Sequence, residues 1–303
     1  MGHEVLTPPR RSWRDYYGLR SRLTRRLAAR FRSVSFDPVE RWLLDAVRRF
    51  KPQLVLALTQ QVSAGVLREI RRHGVERRVA WWGDSPGNMT DPGLLTEEWD
   101  VIYLKDADAV RKFRVLGLEA RLMHEAMNPD WHRPFPGPRN QDVVVAGNLY
   151  EYRQALLGRL IRNGVNVGVY GPRPGRSARP EIVSSYRGRF VVKDEKSRVF
   201  GEGLACLNSM HLREGDSVNC RAFEIAGAAG LQIIEYRPAV AECFEPRTEV
   251  LVYSTYDELM GHIEWARKDL AGAERVRQAG HRRAVRSHTY RDRLTRLLEE
   301  AFA

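Results

Sequence analysis

The strongest constraint on the fold is the alternation of short apolar runs with helical segments that end at glycine. Leu54–Leu58 has the composition of a buried strand, and the helical segment that follows it, 63–73, ends at Gly74. The same order recurs along most of the chain. A strand, a crossover helix and a second strand form a parallel sheet with right-handed connections. The pattern therefore predicts an α/β protein with parallel sheets.

One stretch divides the alternating elements into two sets. Residues 133–140 contain three prolines and a glycine, a composition typical of a linker. We predict an N-terminal Rossmann-like domain over 1–135 and a C-terminal Rossmann-like domain over 141–303. The sequence has neither an apolar run of the roughly 20 residues that a membrane span needs nor a signal-peptide core. The three cysteines lack metal or redox spacing, so we expect a cytoplasmic protein.

The first residues suggest an incomplete N-terminal domain. Gly2-His3-Glu4-Val5 looks like the entry to the second strand of an α/β domain, so either the start is misassigned or the domain lacks its first strand and helix. Residues 10–35 place apolar side chains at four-residue spacing among arginines, which predicts a basic amphipathic helix. Such a helix either packs on the core or lies at the inner face of an anionic membrane.

Positive charge is concentrated in two parts of the chain. Residues 1–50 hold 12 basic and 5 acidic side chains, and residues 151–200 hold 11 and 4, within a total net charge of +12. The basic residues of 10–32 suit an anionic membrane surface or nucleic acid. The second block lies in the C-terminal domain, where it suits a diphosphate.

The stretch 216–234 combines a polar turn, a helix of small residues and an apolar strand. Asp216 and Glu224 flank the start of the helix, whose free N–H groups suit a phosphate. A carboxylate one or two turns into the helix accepts hydrogen bonds from sugar hydroxyls. The pattern favours a nucleotide sugar as the ligand.

This stretch resembles the donor-binding segment of group-1 glycosyltransferases with the GT-B fold, whose signature is two glutamates spaced E-x7-E. Here Asp216 stands at the first position and Glu224 at the second. Arg221-Ala222-Phe223-Glu224 is similar to the R-x-F-E of the CgeB-like (spore maturation) branch. The resemblance implies that Glu224 binds ribose and that Asp216 lies near the transferred sugar. Arg221, Arg153 or Lys193 is expected to stabilise the leaving diphosphate.

Further donor-binding candidates lie in the same stretch and in loops that follow predicted strands of the C-terminal domain. The loop at Gly147 resembles the first loop of the GT-B C-terminal domain, which lies over the donor phosphates. The remaining candidates are Asn148, Arg153, Tyr170, Gly171, Arg187, Arg189, Lys193, Ser217 and Asn219. Arg187 and Arg189 belong to the Arg-, Pro- and Gly-rich stretch 173–190, which is predicted to be a loop that crosses the cleft.

Two candidates lie on the acceptor side, in the N-terminal domain. Asp84 belongs to Trp81-Trp82-Gly83-Asp84-Ser85-Pro86, a loop after a strand that is similar to a CgeB-like W-x-D-x-P feature. His124 lies in a later strand, predicted for 121–125, and could face the cleft. Asp106-Ala107-Asp108 formally matches a D-x-D metal motif, but its place at a helix start predicts capping.

We therefore expect a GT-B hexosyltransferase that moves a sugar from a UDP- or GDP-sugar to an acceptor hydroxyl on a glycan, a lipid-linked molecule or a protein. The resemblance implies retention of configuration and catalysis without a metal or other cofactor. Three alternatives stay open: a nucleotide-sugar epimerase, a non-catalytic GT-B protein that binds a nucleotide or polyanion, and a glycosyltransferase that modifies nucleic acid.

Overall fold

The computed structural model of the chain describes residues 2–8, 38–59, 62–84, 92–137 and 139–303. The basic helix predicted for residues 10–35 lies outside them. Residues 2–8 are exposed and form no strand, so the strand entry expected there is not observed.

The first sheet, within these residues, has four parallel strands in the order β1-β2-β3-β4. Its strands are β1 (Leu54–Leu58), β2 (Arg77–Trp82), β3 (Val101–Leu104) and β4 (Ala120–Leu122). The helices of this half are α1 (Pro38–Phe50), α2 (Ala64–Arg72) and α3 (Ala107–Val115). The strand predicted for 121–125 is shorter than expected and ends at Leu122, which frees the following residues to turn toward the second half of the chain.

The second sheet has five parallel strands in the order β6-β5-β7-β8-β9. Its strands are β5 (Gln141–Ala146), β6 (Val167–Tyr170), β7 (Gly203–Asn208), β8 (Gln232–Glu235) and β9 (Leu251–Tyr253). The intervening helices are α4 (Glu151–Arg162), α5 (Pro180–Ser185), α6 (Lys193–Glu202), α7 (Arg221–Gly227) and α8 (Pro238–Cys243). The chain closes with α9 (Tyr256–Lys268), α10 (Leu270–Ser287) and α11 (Tyr290–Phe302).

Each sheet has its own apolar core, because parallel strands are covered by helices on both faces. In the first half, the core packs Ile102 of β3 against Leu67 of α2 and Phe113 of α3. In the second half, Val145 of β5 and Ile233 of β8 pack together with helix residues on one face.

The last helix lies on the first sheet rather than on the second. Leu297 of α11 is fully buried in a cluster with Val79 and Trp81 of β2. The hydroxyl of Tyr103 donates a 2.8 Å hydrogen bond to Glu300 of α11. The chain therefore crosses twice between its halves, which fixes the two sheets relative to each other.

The start of α3 and the stretch 173–190 can both be compared with the sequence predictions. The Asp106 carboxylate accepts a 3.0 Å hydrogen bond from the Ala109 N–H, so the predicted capping role at the D-x-D motif is confirmed. The stretch 173–190 was expected to be a loop throughout, and this was wrong, because Pro180 opens the short helix α5 there. No helix among the described residues is long and apolar enough to cross a membrane.

Candidate active site

Loops that follow strands of both sheets meet in one cleft. Asp106, just after β3, accepts a 3.0 Å hydrogen bond from the Asp216 N–H of the loop before α7. Beside it, Lys105 Nζ lies 2.7 Å from Glu214 Oε1 of that loop. The carboxyl edge of a parallel sheet is where ligands bind in open α/β folds. This cleft is therefore the candidate active site.

Two glycines allow the second sheet's loops to approach closely. Gly147 and Gly171 have φ values of 143° and 145°, which side chains rarely adopt. A Cβ on Gly171 would overlap the carbonyl oxygen of Gly147. A Cβ on Gly147 would lie 3.2 Å from Arg221 Nη2, so the bare backbone there leaves room for a guanidinium and its ligand.

Arg221 is held in place by amide groups. Its Nη1 donates to Asn208 Oδ1 at 3.4 Å, and Asn219 Nδ2 donates to the same oxygen at 3.2 Å. Asn208 is fully buried and is itself fixed by a 3.2 Å hydrogen bond to Gln232. Within the described part of the chain, Arg221 forms no ion pair, so its charge is available to an anion beside Gly147. The sequence prediction did not include Asn208, although it ends a strand at the ligand-binding edge.

Arg153 is buried, and its guanidinium hydrogen-bonds other residues of the protein. Its side chain is 1% exposed, its Nε donates to Ser209 Oγ at 2.9 Å and its Nη2 to the Ser209 carbonyl at 2.6 Å. Its Nη1 donates to the carbonyl of Asn148, whose side chain is exposed. Burial, followed by the charge of Arg221, lowers the pKa of Arg153 to about 9. Through these hydrogen bonds, Arg153 joins the loops after β5 and β7 and holds them in position. Its predicted contact with the diphosphate stays a prediction.

Glu224 lies between two basic groups that the sequence interpretation missed. Lys196 of α6 donates to Glu224 Oε2, and His132 Nε2 lies 3.6 Å from Oε1. Burial lowers the pKa of His132, which favours its neutral form at pH 7. The Glu224 side chain remains 13% exposed. A carboxylate oriented in this way is suited to accept hydrogen bonds from a diol. The signal in the sequence was weak, because the three residues lie far apart along the chain.

The start of α7 is the phosphate site that the sequence predicted, and this stays a prediction. The helix has seven residues, and the backbone N–H of Cys220 before it favours the ionised form of Glu125. The Asp216 side chain is exposed in the preceding loop. Ser217 is buried and donates a 2.6 Å hydrogen bond to Glu214 Oε1, so its hydroxyl binds within the protein.

Other predicted donor residues are spread around this centre. The hydroxyl of Tyr170 donates to Glu202 at 2.6 Å, and burial, with Glu202, raises its pKa to about 12. Arg189 covers the same ring, 5.5 Å from its centre. Lys193 lies over the Trp131 ring, at 4.8 Å, on the same helix as the Lys196 that contacts Glu224. The structure therefore places Lys193 against Trp131 and keeps Tyr170 in a packed, hydrogen-bonded position.

The two predicted acceptor-side residues lie apart. Asp84 is exposed after β2, and residues 85–91 of its loop lie outside the described part. His124 Nε2 lies 3.1 Å from Glu242 Oε2 of α8, and burial lowers its pKa. Its carbonyl accepts a hydrogen bond from Arg293 of α11. His124 therefore joins elements of the two halves.

A buried ion-pair group in the first half was not predicted from the sequence. Lys105 is 3% exposed and contacts Glu214 at 2.7 Å and Glu125 at 3.8 Å. Burial opposes protonation of Lys105, but the two carboxylates outweigh it and raise its pKa. Burial raises the pKa of Glu125 to about 7, against the opposing charge of Lys105. Neither residue belongs to a motif; both simply follow strands at the carboxyl edge.

The chain resembles known proteins in sequence and in fold. Residues 153–299, just under half of the chain, match the sequence model of a family described as "Glycosyl transferase-like". No curated protein matches the chain in sequence.

Solved structures with a similar fold cover most of the chain. Sucrose-phosphate synthase from Thermosynechococcus elongatus has a TM-score of 0.61 and 11% identity, over 89% of this chain and 80% of that one. Anabaena HepE in complex with UDP-glucose has a TM-score of 0.66 and 10% identity, over 87% and 82%. A glycosyltransferase from Rickettsia africae has a TM-score of 0.63 and 10% identity, over 89% and 82%. The expected GT-B architecture of two parallel-sheet domains is confirmed.

Proposed function

We propose that the protein is a group-1 GT-B glycosyltransferase, which moves a sugar from a nucleoside diphosphate sugar to an acceptor hydroxyl. The observation that carries the proposal is the arrangement of Arg221 beside the bare backbone of Gly147, with Glu224 three residues further along α7. The Glycosyl transferase-like match includes both α7 residues, and HepE, of similar fold, has a structure with UDP-glucose. The motif Arg221-Ala222-Phe223-Glu224 favours the CgeB-like branch.

The donor is expected to be a UDP- or GDP-sugar of a hexose, bound on the second sheet. Arg221 neutralises the diphosphate, and charge develops there as the bond from the anomeric carbon to the phosphate oxygen breaks. A preorganised donor at such a position contributes about 3 kcal/mol to transition-state stabilisation. Glu224, oriented by Lys196 and His132, accepts hydrogen bonds from the ribose hydroxyls. Asp216 lies on the loop nearest the transferred sugar.

The finer chemistry follows from the same residues. We propose that the cationic side chain of Arg221 takes the place of a metal ion at the leaving diphosphate, so activity should persist in EDTA. The D-x7-E spacing of Asp216 and Glu224 favours retention of the anomeric configuration, which NMR of the product would measure. The acceptor, a glycan, a lipid-linked molecule or a protein, would enter from the first sheet's side of the cleft.

A thermal-shift panel tests the donor site directly. UDP, GDP, ADP and CMP would each be added to the wild type and to Glu224→Ala, with Glu264→Ala as the matched control because Glu264 is exposed on α9. A nucleotide at 100 times its dissociation constant stabilises the folded state by about 2.7 kcal/mol.

We expect UDP or GDP to stabilise the wild type and Glu264→Ala, and to stabilise Glu224→Ala much less. The same stabilisation in all three proteins would remove Glu224 from the site. No stabilisation of well-folded wild type by any nucleotide would contradict the proposed function. Nucleotide binding without sugar transfer or hydrolysis would instead favour a non-catalytic binding protein.

A further inference from the structure

Glu125 lies where three strands of the first sheet end. It follows β4 at an interval of two residues, and its Oε2 lies 3.8 Å from Nζ of Lys105, which follows β3. A Cβ on Gly83, which follows β2, would lie 3.0 Å from Glu125 Oε1. The glycine therefore leaves the space that the carboxylate occupies, at the centre of the sheet's carboxyl edge.

The same carboxylate contacts the donor half. The backbone N–H of Cys220, the residue that precedes α7, favours its ionised form. Glu125 therefore lies against the segment that carries Arg221 and Glu224, as Asp106 does through its hydrogen bond from the Asp216 N–H. Its side chain is 18% exposed, so the residue keeps contact with solvent.

The charges around Glu125 come from several elements. Lys105 after β3 favours its ionised form, whereas Glu214 in the donor loop and Glu224 in α7 oppose it. Tyr290 of α11 and the Cys220 thiol also face it, and burial raises the pKa of both. Together with burial of the carboxyl itself, this environment gives Glu125 a pKa of about 7.

We propose that Glu125 binds the attacking hydroxyl of the acceptor and orients it toward the donor sugar, an inference that rests on the proposed function. An ionised carboxylate is a strong hydrogen-bond acceptor and fixes a hydroxyl with its oxygen lone pair free to attack. The role is binding and orientation and adds no covalent step. Neither neighbouring candidate is placed as well, because His124 contacts Glu242 and the Asp84 side chain is exposed.

The test follows UDP release from UDP-glucose with glycerol as the hydroxyl probe, from pH 5.5 to 9. The wild type is compared with Glu125→Gln, Glu125→Asp and the control Glu119→Gln. Glu119 precedes β4 at the opposite end of the strand, and its side chain is 55% exposed. UDP binding by thermal shift is recorded for every variant, and melting confirms that each is folded.

We expect the rate with glycerol to rise with pH through about 7 in the wild type and in Glu119→Gln, because the ionised form binds the hydroxyl. Glu125→Gln should lower kcat/KM for glycerol about 10- to 100-fold, as expected for loss of a charged hydrogen bond. It should also abolish the pH dependence and leave UDP binding unchanged. Glu125→Asp should recover the rising limb at a reduced rate.

Three results would count against the inference, and each has a different meaning. Unchanged rates and an unchanged pH profile in Glu125→Gln would overturn it while leaving the donor site intact. Loss of UDP binding in Glu125→Gln would place the residue in the donor site instead. A wild type that neither binds UDP nor releases it from UDP-glucose would reject UDP-sugar transfer and this inference with it.

Discussion

The two sides of the cleft, which we propose to bind the donor and the acceptor, each hold a basic side chain, but in different surroundings. On the donor side, Arg221 is fixed by neutral amides, Asn208 among them, and its charge is not compensated by a nearby carboxylate among the described residues. On the acceptor side, Lys105 is buried between Glu214 and Glu125. The first arrangement leaves a positive charge for an anionic ligand. In the second arrangement, the positive charge of Lys105 pairs with carboxylates of the protein itself. These ion pairs join the two halves and hold Glu125 at the cleft.

The largest effect should come from removing the acceptor-side cation. Lys105→Met leaves two carboxylates buried without their partner, which typically destabilises a protein by about 3–5 kcal/mol. Lys112→Met is the control, because Lys112 is 75% exposed and pairs with Asp108 at the surface, so little change in stability is expected. Urea denaturation at pH 8 measures both. Equal effects would show that Lys105 does not hold the two halves together.

A smaller effect is expected at the glycine contact of the donor side. Gly171→Ala forces a Cβ onto the Gly147 carbonyl in addition to an unfavourable φ, and should destabilise the fold by about 2–3 kcal/mol. Gly164→Ala shares a positive φ of 81° but meets open space, so about 1 kcal/mol is expected. Urea denaturation of both variants gives the comparison. If the free energy of unfolding falls equally in both variants, the close approach of the two loops is not the reason why position 171 requires glycine.

The smallest predicted effect separates a structural tyrosine from a ligand-binding one. Tyr170→Phe removes the hydrogen bond to Glu202, which also contacts Arg189, and should cost about 1 kcal/mol. Nucleotide stabilisation in the thermal-shift panel should stay as in the wild type, because the buried hydroxyl is occupied by Glu202. A selective loss of nucleotide binding would return Tyr170 to the donor site.

The difference between the donor and acceptor sides also explains which features could be predicted from the sequence. Most strands and helices of both sheets followed from periodicity and glycine stops, and the donor signature was found because Asp216, Arg221 and Glu224 are close together in the chain. The short helices α5 and α8 were missed, since six residues carry almost no periodic pattern. At the first residues, the resemblance of Gly2-His3-Glu4-Val5 to a strand entry was not matched by a strand.

The acceptor side was harder to predict because tertiary structure assembles it. Lys105 and Glu125 follow different strands, and Glu214 comes from the other half of the chain; no spacing in the sequence links them. His124 was considered because it is a histidine, whereas no local pattern marked its neighbour Glu125. Lys196 and His132, the partners of Glu224, were missed for the same reason.

The crystal structure of the protein with UDP would test the central claim most directly. We predict the diphosphate within hydrogen-bond distance of Arg221, beside the backbone of Gly147, and the ribose hydroxyls on Glu224. UDP bound elsewhere, or bound with Arg221 still directed only to Asn208 and Glu224 only to Lys196, would contradict the account.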